Sequence, residues 1–203
     1  MGIPANIVTT SADYSVLCAR ASSIFHLNRG GLPEQVFVDG FTNFGFVEFD
    51  VMLTPEFWNV LAACTVRCGD LDVSVIVHEP DPEAYYFSNF HRYGALRFEP
   101  NALMQDYSNA LWAEPEGSPA DALQFVASTV SWCGSSKEWA FWGERGLGIG
   151  IAATRRVEMP WPSVEGVNWF NVDSALRSLV APNFLEQAVP PEFAAKLRRN
   201  FRG

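Results

Sequence analysis

The sequence predicts an α+β protein with a mixed or largely antiparallel sheet and helices packed mainly on one side. Three observations lead there. Alternating apolar and polar residues mark strands near positions 44–51 and 70–78, and capped apolar stretches beside them mark helices. From Thr129 to Ala153 the chain reads as three strands in succession, so helices and antiparallel strands are partly segregated.

Taken in order, Phe44 to Val51 sets Phe46, Glu48 and Asp50 against Val47, Phe49 and Val51, one face apolar and one acidic. The stretch LTPEFWNVLAACTVRCG announces a helix. Thr54 can cap it, Pro55 suits its first turn, Glu56 suits the positive end of its dipole, and Gly69 should stop it. Leu53 and Trp58 are spaced as a hydrophobic staple. Asp70 to His78 alternates again, with Leu71, Val73, Val75 and Val77 on one face and Asp70, Asp72, Ser74 and Ile76 on the other. Asp81-Pro82-Glu83 and Ser118-Pro119 with Asp121 repeat the capping chemistry. Between them lie a strand at Ala95 to Glu99 and a helix from about Asn101 to Ala113. After MPWPS the chain turns helical from Asp173, breaks near Pro182, and ends in a helix led by Pro191 and Glu192.

At 203 residues one α+β domain over residues 1–203 is expected, large enough to need no disulfide or metal for its core. A net charge of −9 and a pI near 4.8 argue against nucleic acid and against an anionic membrane, because phosphate binding needs clustered Lys and Arg. Charged residues are 18%, below the usual quarter, while aromatics reach 14% with seven tryptophans. That surplus implies a large aromatic core, or an exposed patch that a partner covers. The basic residues Lys196, Arg198, Arg199 and Arg202 crowd the last helix, where they complement its dipole or meet an acidic surface.

Cys18, Cys64, Cys68 and Cys133 lie in or beside apolar runs and read as reduced thiols. The first thirty residues show no basic segment followed by an apolar signal stretch, which sets the expectation of a cytoplasmic protein. No apolar run approaches the roughly 20 residues of a membrane helix.

Gly148-Ile-Gly-Ile-Ala-Ala153 matches the dinucleotide pattern G-x-G-x-x-A. A cofactor loop needs a sustained helix after it, and Thr154 to Glu158 followed by Met-Pro-Trp-Pro cannot supply one, so no cofactor is expected. Asp173, twenty residues on, is one acid among twenty-three. A β-hairpin explains more. With Gly143 and Gly146 bracketing Glu144-Arg145, Trp142 faces Leu147, Ala140 faces Ile149, and Trp139 and Phe141 cover Gly150 and Gly148. The string Trp139-Ala-Phe-Trp-Gly-Glu-Arg145 resembles a hairpin found in uncharacterised bacterial proteins, some of them similar to immunity partners of secreted toxins. That resemblance implies a protein-binding role.

Chemical signatures are sparse. Cys64 and Cys68 with His78 lack the second ligand pair of a structural zinc site, so no metal is expected. No G-x-S-x-G elbow is present, and although Cys133 could meet His26, His78 or His91 in space as a thiol–imidazole pair, the local sequence of none of them supports one. Glu48 with Asp50, and Asp70 with Asp72, form two acidic pairs. They converge if their strands are antiparallel neighbours and lie at opposite ends if the strands run parallel. These readings lead to an acidic cytoplasmic protein that binds another, basic, protein, with a homodimer as a further option and an immunity protein against a basic toxin as the specific form. Glu48, Asp50, Asp70, Asp72, Trp142, Glu144 and Arg145 are the expected partner-binding residues, with no catalytic residue assigned. The competing expectation is a small hydrolase with a cleft lined by carboxylates and His78 or His91.

Overall fold

The protein is described here from a computed structural model that covers residues 4–115, 118–156 and 159–202. Six strands form its sheet: β1 (Asn43–Glu48), β2 (Val73–Glu79), β3 (Ala95–Phe98), β4 (Thr129–Gly134), β5 (Trp139–Glu144) and β6 (Ile149–Thr154). Their spatial order is β1-β6-β5-β4-β2-β3, and every neighbouring pair is antiparallel. The helices are α1 (Ser11–Ser22), α2 (Phe57–Cys68), α3 (Ser88–Phe90), α4 (Met104–Leu111), α5 (Leu123–Val126), α6 (Val172–Ala175) and α7 (Pro191–Asn200). Pro82–Phe87 and Leu176–Val180 are π-helical turns. The α+β class and the antiparallel sheet are those read from sequence. Among the described residues no helix is long and apolar enough to cross a membrane.

The helices do not gather on one side of the sheet, as expected, but divide between its faces. Val75, Val130, Trp132, Trp139 and Phe141 point into a core closed by α2, α4 and α5. Ile76, Cys133, Ala140, Trp142 and Ile151 point into a second core closed by α1, α6, α7 and the segment 24–41. The reason is visible in the strands, since β6 is buried at all six positions and β5 at five of six. A strand with two apolar faces loses stability unless both are removed from water. The aromatic surplus is absorbed mainly here: Trp58, Trp132, Trp139 and Trp142 are all buried.

Local boundaries follow the caps, with instructive exceptions. Asp81 caps the turn after β2 through the amides of Glu83 and Ala84, and Gly69 ends α2 in the left-handed region with φ 67°. Thr54 does not cap α2. Its hydroxyl donates to the Val51 carbonyl, 2.9 Å away, and α2 starts three residues later, at Phe57. Strand β1 stops at Glu48, and Asp50–Leu53 instead form a 3₁₀ turn that tucks Met52 beneath the sheet.

The hairpin exists, but its register is four residues from the expected one. Trp142 lies opposite Ile151 and Ala140 opposite Ala153, because the turn takes in Arg145–Leu147 and the left-handed Gly148. An even shift keeps every side chain on its expected face. It also brings Gly143 opposite Gly150, so the glycines are not covered by Trp139 and Phe141. Met52 fills that gap: a Cβ built on Gly150 would collide with its sulfur, and one on Gly143 would lie 2.9 Å from the Phe49 ring. Gly150→Ala should therefore destabilise the protein by about 1–3 kcal/mol through overpacking. In a denaturant double-mutant cycle with Met52→Ala, the two losses should be clearly less than additive; full additivity would remove the socket.

Candidate functional site

The hairpin motif that the sequence singled out faces inward. Trp142 is 6% exposed, stacks on the His78 imidazole at 5.0 Å between ring centres, and donates its indole N–H to Glu144 Oε1 at 2.8 Å. The same carboxylate oxygen accepts the Leu32 amide at 2.7 Å, with Gly31 leaving it room. Burial pushes the Glu144 carboxyl above its ordinary value, and the Trp142 and Leu32 donors partly offset this. On the opposite core side, Arg145 donates to the Phe125 carbonyl and, at 2.7 Å, to the Gln124 carbonyl, and lies over the Phe49 ring at 5.1 Å. Trp-Gly-Glu-Arg thus fastens a segment of each core to the sheet. Trp142 is corrected from partner contact to core residue, and the side chains of Glu144 and Arg145 are occupied internally.

The two acidic pairs do not converge. β1 and β2 run in the same sense with three strands between them, so Glu48 ends one and Asp50 follows it, while Asp70 and Asp72 precede the start of the other. Asp70 and Asp72 are also buried, at 5% and 3% exposure, whereas Leu71 between them is 79% exposed, the reverse of the expected alternation. The cause is specific pairing. Asp70 accepts the Trp139 indole N–H at 2.7 Å and the Ser136 amide. Asp72 accepts from Arg20 and from Arg97, the latter at 2.6 Å. Burial alone would raise the Asp72 carboxyl, but the two guanidinium groups outweigh it and hold it below the usual range. Both acids are corrected from partner-binding to structural.

Glu48, Asp50 and Arg145 do meet, around a cleft of about 320 Å³ that Ser178 and Asn183 also line. Asp50 is 73% exposed at its side chain and pairs with Arg145 Nε at 3.6 Å. A wider groove of about 840 Å³ runs beside β3, lined by Asp13, Leu71, Asp72, Arg97, Glu99 and Asp106 among others. Neither His78 nor His91 lines either cleft. His78 is bonded to Ser131 at 2.8 Å, and burial pushes it down to about 4. Cys133 touches Ser74 at 3.3 Å and burial raises its thiol to about 11, away from the reactive thiolate. The four cysteines are free, and among the described residues no group of His, Cys, Asp and Glu is placed to hold a metal ion.

What the sequence reading missed is an exposed aromatic pair. Trp112, after α4, and Phe125, in α5, are 50% and 53% exposed and meet edge to face at 5.0 Å. The helical period held the clue: Tyr107 and Leu111 form the buried stripe of α4, and Trp112 falls about 100° off it.

Two expectations test this account of the buried groups. Asp72→Ala strands the Arg20 guanidinium, whose side chain is only 11% exposed, and should cost about 3–5 kcal/mol in a urea titration. Arg97→Ala, at a side chain 50% exposed, should cost less than about 1 kcal/mol. His78 held neutral means that the unfolded chain binds the extra proton between pH 6.5 and about 4. Stability should be full above pH 6.5 and fall by about 1–3 kcal/mol as pH drops through that window, and His78→Gln should flatten the dependence. Comparisons with protein-family models, with curated proteins and with solved structures find no match to this chain.

Proposed function

We propose that this chain works by binding another protein, and that the partner is basic. The observation that carries the reading is where the charge resides. Among the described residues six cations pair with carboxylates of their own chain: Arg20 and Arg97 with Asp72, Arg145 with Asp50, Arg156 with Glu138, Lys196 with Glu34 and Arg198 with Asp173. The basic last helix therefore meets the acidic body of its own chain as well as its own dipole. Unpaired charge is costly to bury, and much of the net −9 is carried on solvent-exposed side chains such as Glu48, Glu56, Glu99, Glu114 and Glu192. A field of that sign repels phosphate backbones and steers positively charged proteins.

An immunity-type pairing with a basic toxin, such as a nuclease, is the specific form of this reading. It takes place in the cytoplasm, where the free thiols stay reduced. Support for it comes from the charge balance and from the hairpin resemblance. Co-expression with the product of the adjacent reading frame, followed by pull-down at low and high salt, tests it. Capture that weakens steeply with salt is the expected result; no enrichment at either salt would reject the reading.

A further inference from the structure

We infer that the exposed Trp112–Phe125 corner docks a segment of a basic protein that carries a large apolar side chain with arginine or lysine beside it. This rests on the proposed protein-binding function and names its contact surface. The two rings meet at 90° with half their surface open to solvent, and they lie outside the buried stripes of α4 and α5. Every other tryptophan here is buried or half-buried.

On the Phe125 side the backbone of the corner is tied to the sheet before anything binds. Arg145 holds the carbonyls of Gln124 and Phe125, and is itself held by Phe49 and Asp50. A preformed aromatic pair loses little freedom on binding, and tryptophan is the side chain most enriched among residues that dominate interface energy. The Trp112 indole N–H has no acceptor among the described residues, which leaves a donor for a partner.

Charge decides what fits. Asp121, four residues before Phe125, accepts from Ser118 and Tyr85, and those two hydrogen bonds hold its carboxyl below the usual range. Glu114 is exposed two residues beyond Trp112, and Asp50 is exposed on the far side of Arg145. Two cations adjoin the corner among the described residues, and both are committed: Arg145, and Arg92, whose guanidinium donates to the Ala113 carbonyl at 2.7 Å and acts electrostatically on Asp121. An apolar anchor flanked by positive charge is complementary to this arrangement, while nucleic acid is repelled by it and a second copy of a −9 chain is disfavoured.

The probe is a fluorescein-labelled amphipathic helical peptide with leucine on one face and arginine and lysine on the other, compared with the same peptide carrying glutamate in their place. Anisotropy should show binding of the cationic peptide alone. Trp112→Ala and Phe125→Ala should each weaken it by about tenfold or more, and Trp112→Phe should restore most of the affinity. Asp121→Asn with Asp50→Asn should weaken it severalfold at low salt only, and Leu185→Ala, exposed elsewhere, should leave it unchanged. Circular dichroism checks that each variant keeps its fold. The inference is overturned if both peptides bind alike, if the two alanine variants keep wild-type affinity, or if sedimentation shows a dimer that Trp112→Ala dissolves. Capture of the adjacent gene's product that survives both alanine variants would retain protein binding and remove this surface. Capture of nothing at either salt, with the peptide results intact, would remove the proposed biological role and retain the surface.

Discussion

Burial of both faces of β5 and β6 is the constraint from which the remaining architecture follows. These strands carry Trp139, Phe141 and Ala152 on one side and Ala140, Trp142, Ile149 and Ile151 on the other, and nearly every position is removed from water. Such strands cannot form one wall of a two-layer protein. Each face needs its own cover, and the chain supplies α2, α4 and α5 to one and α1, α6, α7 and residues 24–41 to the other. The Gly143–Gly150 pair shows how close that cover comes, since Met52 occupies the volume two Cβ atoms would take. Tyr107 then holds the Met52 carbonyl at 2.6 Å and accepts the Trp132 indole at 3.0 Å, which ties α4 to the same spot.

Polar residues at the edges of this double core act as fasteners. Glu144 and Arg145 are adjacent in the chain and reach in opposite directions, one to the Leu32 amide and one to the end of α5. Asp70 and Asp72 do similar work for Trp139 and Arg20. Removing a partner from a buried charge costs more than the pair contributes, so these residues lock a geometry that the apolar surfaces alone would leave loose. The conspicuous hairpin is thereby committed to the interior, while Trp112, Phe125 and the solvent-facing carboxylates lie at the periphery.

Several features were legible without coordinates because they depend on short-range chemistry. The cap at Asp81, the stop at Gly69, the last helix behind Pro191 and the three consecutive strands after Thr129 all arise within a few residues of the sequence that encodes them. The even register shift preserved both faces of the hairpin for the same reason, as alternation has period two whatever the turn length. Of the sites, Glu48, Asp50 and Arg145 were chosen from sequence and do share a cleft, though Arg145 is occupied by neighbours the sequence did not reveal.

By itself, then, the sequence determined the class, the succession of elements, the acidic balance and the absence of a recognisable catalytic motif, all of which depend on composition and local period. Only the tertiary structure decided which acids are solvated and which tryptophan is exposed. Asp70 and Asp72 read as a partner-binding acidic pair until Trp139 and Arg20, 69 and 52 residues away in the chain, arrive to bury them. Trp142 read as a partner-binding residue, yet it is the chain's own segment holding Phe25 and Leu32 that covers it. Burial is a property of distant partners, and no local pattern of apolar and polar residues contains it.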